Sequence, residues 1–177
     1  NERIGFMIVK SNYKFAENSI PEKKMERFKK VIESYADFSY NFPGSKYLDE
    51  AKRYKQVSHF MAAKSAFEWA EVGPLTERER LFKVAVNEVK VQNPFLSTDK
   101  EKRELDKLSE KAYFLTIKNN FLISELTKNG QKLAALEQTV KTYYTFVDLF
   151  PKSKFINEAE KIFQNSTELL KKLKSNG

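Results

Sequence analysis

The chain has 177 residues and a formal net charge of +8, with 41% hydrophobic and 14% aromatic residues. This share of large apolar side chains excludes a disordered chain, and the length suits one domain with a sizeable core. Only five glycines and five prolines interrupt the chain. Long uninterrupted elements are therefore expected, and a collagen-like or many-turned all-β chain is excluded.

The breaker residues divide the chain into segments that each carry the hydrophobic spacing of a helix. In chain order, the predicted helices are 3–17, 22–41, 45–71, 75–92, 99–127, 131–149 and 153–174. No segment alternates with a period of two for long, so no sheet is predicted. The segment 3–17 resembles the second half of a longer helix, which predicts that the native protein continues before Asn1.

Two similar corners separate long helices. Pro43 and Pro151 cannot extend the helix before them, and a serine follows each proline after one residue. Ser45 and Ser153 are suited to cap the next helix by accepting a backbone hydrogen bond. The sequence therefore predicts that these serines open the helices 45–71 and 153–174.

The chain repeats itself. Residues 6–56 align without a gap to 114–164, and half of that offset, 54 residues, also gives matches. The predicted units are 6–57, 60–111 and 114–165, within a single helical-repeat domain that spans 1–177. The middle unit lacks the shared corner and carries Leu96-Ser97-Thr98-Asp99 there. Alternating antiparallel helices of this kind stack into a right-handed superhelical solenoid, so an all-α array of about seven helices is predicted.

The corner residues resemble a known family. Val31, Tyr35, Phe38 and Pro43 have the spacing of the second half of a tetratricopeptide repeat, and the third unit repeats it. The run Phe-Pro-x-Ser-Lys-aromatic-x-x-Glu-Ala, at 42–51 and 150–159, is similar to the junctions of BamD-like lipoproteins. The preceding segment Tyr13-x-x-Ala16-Glu17-Asn18-Ser19, followed by a lysine-rich turn and Arg27-Phe28, resembles the members of the Bacteroidetes type. The residues that carry over are structural: Phe42, Pro43, Ser45, Ala51, Phe150, Pro151, Ser153 and Ala159.

The resemblance implies a periplasmic scaffold that is tethered by a lipid to the bacterial outer membrane. Its implied partners are the periplasmic domains of the β-barrel assembly protein and its accessory lipoproteins. The chain departs from the family in three ways: most tetratricopeptide consensus positions are missing, the repeat is longer, and the lipidated cysteine is absent. Other envelope scaffolds, such as secretion-system lipoproteins or Tol-associated coordinators, therefore remain open.

Residues for catalysis are sparse. Cysteine is absent and His59 is the one histidine, so a multi-histidine metal site is impossible. We expect His59 to be a surface or core-edge residue, and the carboxylate pairs to be solvated faces of helices. Gly-rich phosphate loops and hydrolase motifs are missing. The expected protein is not an enzyme and takes no cofactor.

Four residues are candidate partner-binding positions. Trp69 either anchors a partner or packs the turn that follows it. Lys161, Lys171 and Lys172 lie on the last predicted helix, where charge reversal would weaken capture of a partner that docks there. The excess of lysine would speed encounter with acidic partners or anionic headgroups. A basic nucleic-acid-binding array is the remaining alternative, and a steep salt dependence of binding would identify it.

Overall fold

The computed structural model describes residues 1–175, apart from the side chain of Asn129. Within this range the chain is all-helical, as predicted, and no strand forms. The helices are α1 Glu2–Glu17, α2 Pro21–Asn41, α3 Leu48–Val72, α4 Arg78–Gln92, α5 Asp99–Leu126, α6 Asn129–Leu149 and α7 Ile156–Ser175. A 3₁₀ turn, Asn93–Phe95, follows α4.

Each helix packs against the next, which makes a solenoid of antiparallel helix pairs. The odd-numbered helices α1, α3, α5 and α7 also contact one another in series, and they are called the odd row below. The even-numbered helices α2, α4 and α6, the even row, make no comparable backbone approach to each other within the described chain. Open grooves therefore lie between neighbours of the even row.

The core is divided among successive helix pairs. Phe6, Val9 and Phe28 lie in the first cluster, and Phe67 and Phe82 lie in the second. A further cluster surrounds Leu105, and the last one contains Phe114, Ile117, Phe146 and Ala159. Because each cluster joins only helices that are consecutive along the chain, the fold is stabilised by near-neighbour burial, as expected for a repeat protein.

The prediction that serines open two long helices is wrong. α3 begins at Leu48 and α7 at Ile156, three residues after Ser45 and Ser153. The hydroxyl oxygen of Ser45 accepts from the backbone N–H of Tyr47 at 3.2 Å, and that of Ser153 accepts from Phe155 at 3.1 Å. Each serine therefore stabilises a turn before the helix, which is a common use of short hydroxyl side chains.

The start of α5 is predicted correctly. Thr98 is its N-cap, its hydroxyl oxygen accepts from the N–H of Glu101 at 3.2 Å, and the Glu101 carboxylate accepts from the N–H of Thr98 at 3.0 Å. This reciprocal pair is a capping box. By contrast, α4 begins at Arg78 instead of residue 75, since Pro74 and the turn after it precede the helix.

Candidate interaction surface

The two Phe-Pro corners have matching geometry. In the first, the N–H of Phe42 donates to the carbonyl of Phe38 at 2.9 Å, and the N–H of Ser45 donates to the carbonyl of Phe42 at 3.1 Å. In the second, Phe150 donates to Phe146 at 2.8 Å and Ser153 donates to Phe150 at 3.0 Å.

The same corners bury the same kinds of side chain. Phe38 and Phe146 are buried, and the ring centroids of Phe38 and Phe42 lie 5.7 Å apart, against 5.8 Å for the second pair. Ala51 and Ala159 are fully buried in the first turns of α3 and α7. Small residues there allow the corner to approach the helix closely. The exposed prolines, Pro43 and Pro151, end α2 and α6.

A ladder of ion pairs links the odd row, and sequence reasoning missed it. Each rung joins a lysine to a glutamate 40 residues later, on the next odd helix. The rungs are Lys10–Glu50 at 3.6 Å, Lys64–Glu104 at 3.1 Å and Lys118–Glu158 at 2.8 Å. Successive lysines are 54 positions apart, and so are the glutamates. Searching the repeat for recurring opposite charges would have found these pairs.

Each ladder lysine also lies over a phenylalanine of its own helix. The ammonium is 5.7 Å from the Phe6 ring centroid for Lys10, and the equivalent distances to Phe60 and Phe114 are 5.6 and 5.4 Å. Residues 54 positions apart in the sequence therefore make equivalent contacts in the structure.

A buried polar chain distinguishes the middle of the molecule. Lys29 on α2 forms an ion pair with Glu88 on α4 at 2.8 Å, and Gln92 donates from Nε2 to the Glu88 carboxylate at 2.5 Å. Because a carboxylate only accepts, Oε1 of Gln92 faces His59, and Nδ1 of His59 donates to it at 2.6 Å. His59 is 5% exposed, so it lies deeper than the predicted surface or edge position.

The environment of His59 favours its neutral form. Burial lowers the pKa of His59 below its ordinary value of 6.5, the hydrogen bond to Gln92 opposes this, and the charge of Lys55 adds to it. The ring stacks on Phe95 at 4.8 Å. Its Nε2 is buried and has no hydrogen-bond partner within the described chain. Gln92 occupies the position of Phe38 and Phe146 in the other units, so the polar chain replaces an apolar corner.

Two grooves lie between even-row helices at equivalent positions of the repeat. The α2–α4 groove, of about 580 Å³, has residues of α3 as its floor, and the α4–α6 groove, of about 330 Å³, has residues of α5. Six residues that line the α2–α4 groove lie one repeat, 54 residues, before six residues that line the α4–α6 groove. The pairs are Lys29 and Lys83, Ile32 and Val86, Glu33 and Asn87, Ala36 and Lys90, His59 and Tyr113, Val91 and Thr145.

Charge separates the two grooves. Glu33 lines the α2–α4 groove, and Glu88 neutralises Lys29 there. Among the described residues, the lining of the α4–α6 groove contains no carboxylate, and it carries Lys83, Lys90 and Lys141. Glu79, at its edge, pairs with Lys83 at 2.5 Å and accepts from Gln138.

The predicted partner-binding residues lie on separate surfaces. Trp69 is half-buried against the second core cluster, and Cε2 of its ring would lie 3.8 Å from a Cβ at Gly73, so the side chain packs the turn after α3. Lys161, Lys171 and Lys172 are exposed on α7, and Lys172 pairs with Glu168 at 2.7 Å. The structure does not bring Trp69 and these lysines together with the polar chain of His59.

One face of α1 exposes Ile4, Met7 and Ile8. One repeat later, Met61 and Ala62 occupy the positions of Met7 and Ile8, and both pack against the first core cluster, to which α1 and α2 contribute. The exposed apolar face of α1 is therefore equivalent to a face of α3 that packs against the preceding helix pair.

Two classes of feature are not found in the described part of the chain. Residues 1–175 contain no group of three or more histidine, aspartate or glutamate side chains placed to hold a metal ion. None of the helices there is both long and apolar enough to cross a membrane.

Compared with protein-family models and with curated proteins, the chain matches none of them. The corners, the ladder and the grooves therefore carry the functional inference.

Proposed function

We propose that this protein is a non-catalytic scaffold that binds protein partners in the bacterial envelope, as the BamD-like family does. The carrying observation is the pair of matching Phe-Pro corners, whose residues are those on which the family resemblance rests. The proposed location is the periplasmic side of the outer membrane, with a lipid anchor outside this chain. The proposed partners are the barrel-assembly protein and its accessory lipoproteins.

The distribution of surface supports a scaffold. A solenoid exposes a large surface relative to its length, and repeat proteins use such surfaces to bind partners. Here the even row leaves open grooves on one side, while exposed lysines lie along α7. His59 is buried and its ring stacks on Phe95. This environment suits a structural role for His59 better than general acid–base catalysis.

The test is affinity purification of the tagged full-length protein from detergent-solubilised membranes, with partners identified by mass spectrometry. Recovery of the barrel-assembly protein in near-equal amount supports the proposal. Recovery of a different envelope complex retains the scaffold and removes the BamD-like assignment. Recovery of the protein alone from the soluble fraction overturns both.

A charge-reversal pair locates the docking end. Lys161→Glu with Lys171→Glu should weaken partner capture if α7 docks the partner, because both ammonium groups are exposed there. Lys52→Glu with Lys107→Glu changes the net charge equally at exposed positions elsewhere and serves as the control. Equal capture by both double variants would place the interface away from α7.

A further inference from the structure

The α4–α6 groove differs from its equivalent one repeat earlier mainly in charge. Glu33 of the α2–α4 groove is replaced by Asn87, and Ala36 is replaced by Lys90. The second wall changes in the same way between α4 and α6, 54 residues later: Thr142 replaces Glu88 and Lys141 replaces Asn87. At equivalent positions of the repeat, the α4–α6 groove has therefore lost carboxylates and gained lysines relative to the α2–α4 groove.

The lysines of this groove are not neutralised equally. Lys83 pairs with Glu79, whereas Lys90 and Lys141 form no ion pair with any residue that the structure describes. Lys90 is on α4 and Lys141 is on α6, so the two ammonium groups belong to opposite walls. Two uncompensated positive charges on facing walls raise the local potential for anionic groups.

The rest of the groove combines apolar and polar surface. Val86 contributes half-buried apolar area and the buried Phe82 also lines the groove, while Asn87 and Thr145 add exposed amide and hydroxyl groups. A volume of about 330 Å³ is at the lower end of the range of ligand pockets, which suits a few side chains. The matching ligand is therefore small in cross-section, and it carries carboxylates next to an apolar group.

We infer that the α4–α6 groove binds an acidic peptide segment of a protein partner, with its carboxylates between Lys90 and Lys141 and an apolar side chain against Val86. This inference names a binding surface for the proposed scaffold and rests on that function for its biological setting. A nucleic acid fits less well, because Glu79 neutralises Lys83 and leaves two lysines in the groove, few for binding that depends on many phosphate contacts. A flat lipid surface would reach only the rim of a recessed groove.

The binding test uses the whole chain and a defined probe. The probe is a fluorescein-labelled peptide that repeats Glu-Leu-Glu-Phe, and its neutral counterpart repeats Gln-Leu-Gln-Phe. Fluorescence anisotropy should show binding of the acidic peptide and at least about tenfold weaker binding of the neutral one. Equal affinity for the two peptides, or no binding of the acidic peptide, would overturn the inference.

Two groove variants test the location. Lys90→Glu with Lys141→Glu should weaken binding by at least about tenfold, because it replaces both attractive charges by repulsive ones. Asn87→Glu with Lys90→Ala installs the residue types that α2 already carries at Glu33 and Ala36, so it tests the same point with substitutions that the repeat tolerates. Lys52→Glu with Lys107→Glu is the control, and it should retain binding.

The remaining outcomes are decisive as well. If both groove variants bind the peptide as the unaltered chain does, the inference fails. It also fails if a duplex oligonucleotide or phosphatidylglycerol vesicles bind more tightly than the peptide and lose binding in these variants. If the affinity purification still recovers a partner with the groove variants, the α4–α6 groove is not its binding site. The proposed scaffold function is then retained. Absence of any partner overturns the proposed function and leaves the peptide result to stand by itself.

Discussion

Nδ1 of His59 lies 2.6 Å from Oε1 of Gln92, and Glu88 on the far side of the amide determines which way that amide points. The imidazole thus donates from Nδ1, and its buried Nε2 has no partner within the described chain. Protonation of His59 would place a second proton and a charge where neither is compensated, with Lys55 nearby.

Stability should therefore fall as the pH drops below 6.5. Burial lowers the pKa of His59 in the folded state from 6.5, so the unfolded state binds the proton first as the pH falls. The free energy of unfolding must decrease through the window between the lowered pKa and 6.5. Urea unfolding of the wild type and of His59→Gln across this window measures the effect. The variant should lack that decrease, and equal pH slopes would contradict the assignment.

Removing Lys29 should be costly. Its ammonium compensates Glu88, which is 4% exposed, and Lys29→Met would leave that carboxylate with only the Gln92 amide. Because an uncompensated buried charge is strongly unfavourable, we expect a loss of about 3 kcal/mol in the free energy of unfolding. Lys30→Met removes the exposed pair with Glu33 instead and should change stability by less than about 0.5 kcal/mol. Equal effects of the two substitutions would show that Glu88 does not depend on Lys29.

Gly5 should not tolerate a methyl group. A Cβ at Gly5 would lie 2.9 Å from Cδ2 of Phe38 and 3.2 Å from Cε2 of Phe42, both on packed corner rings. Overpacking outweighs the gain in helix propensity, so Gly5→Ala should cost about 1 kcal/mol. Gly44→Ala meets nothing within 4 Å and should lie within about 0.5 kcal/mol of the wild type. Thermal unfolding compares them, and a stabilised Gly5→Ala would show that the corner rings move freely.

Each lysine–glutamate pair of the ladder should contribute only weakly to the free energy of unfolding. Lys64 and Glu104 lie 3.1 Å apart and are about one-third exposed or more. A double-mutant cycle with Lys64→Met and Glu104→Gln should give a coupling of about 0.5 kcal/mol that vanishes in high salt. A coupling that persists in molar salt would mean that the pair acts through packing rather than charge.

Much of the fold could be predicted because breakers and hydrophobic spacing are local signals. Pro43 and Pro151 end their helices wherever the chain goes next. Thr98 and Glu101 form a capping box, a further local signal that would have marked the start of α5. Ser45 and Ser153 misled because a serine after a proline can close a turn as readily as it can cap a helix. The choice depends on how the corner packs, which single residues do not reveal.

The candidate site was harder to predict because its parts are distant in sequence. His59 and Gln92 are 33 residues apart, and Lys29 joins them only through Glu88 on another helix. Nothing near His59 in the sequence indicates burial in a polar chain. The α4–α6 groove could have been found by comparing repeat units, since the exchange of Ala36 for Lys90 and of Glu33 for Asn87 is visible once the offset of 54 residues is applied.

The unequal spacing of the two rows has a mechanical consequence. The odd row is closed by direct helix contacts and by the lysine–glutamate ladder, whereas the even row is bridged by side chains such as Lys29–Glu88 and Gln138–Glu79. Bending should therefore pivot about the odd row, with α4 and α6 moving apart or together at small cost in buried area. A segment wedged between α4 and α6 would change the curvature of the array, so occupancy at one groove would alter the angle between the units on either side.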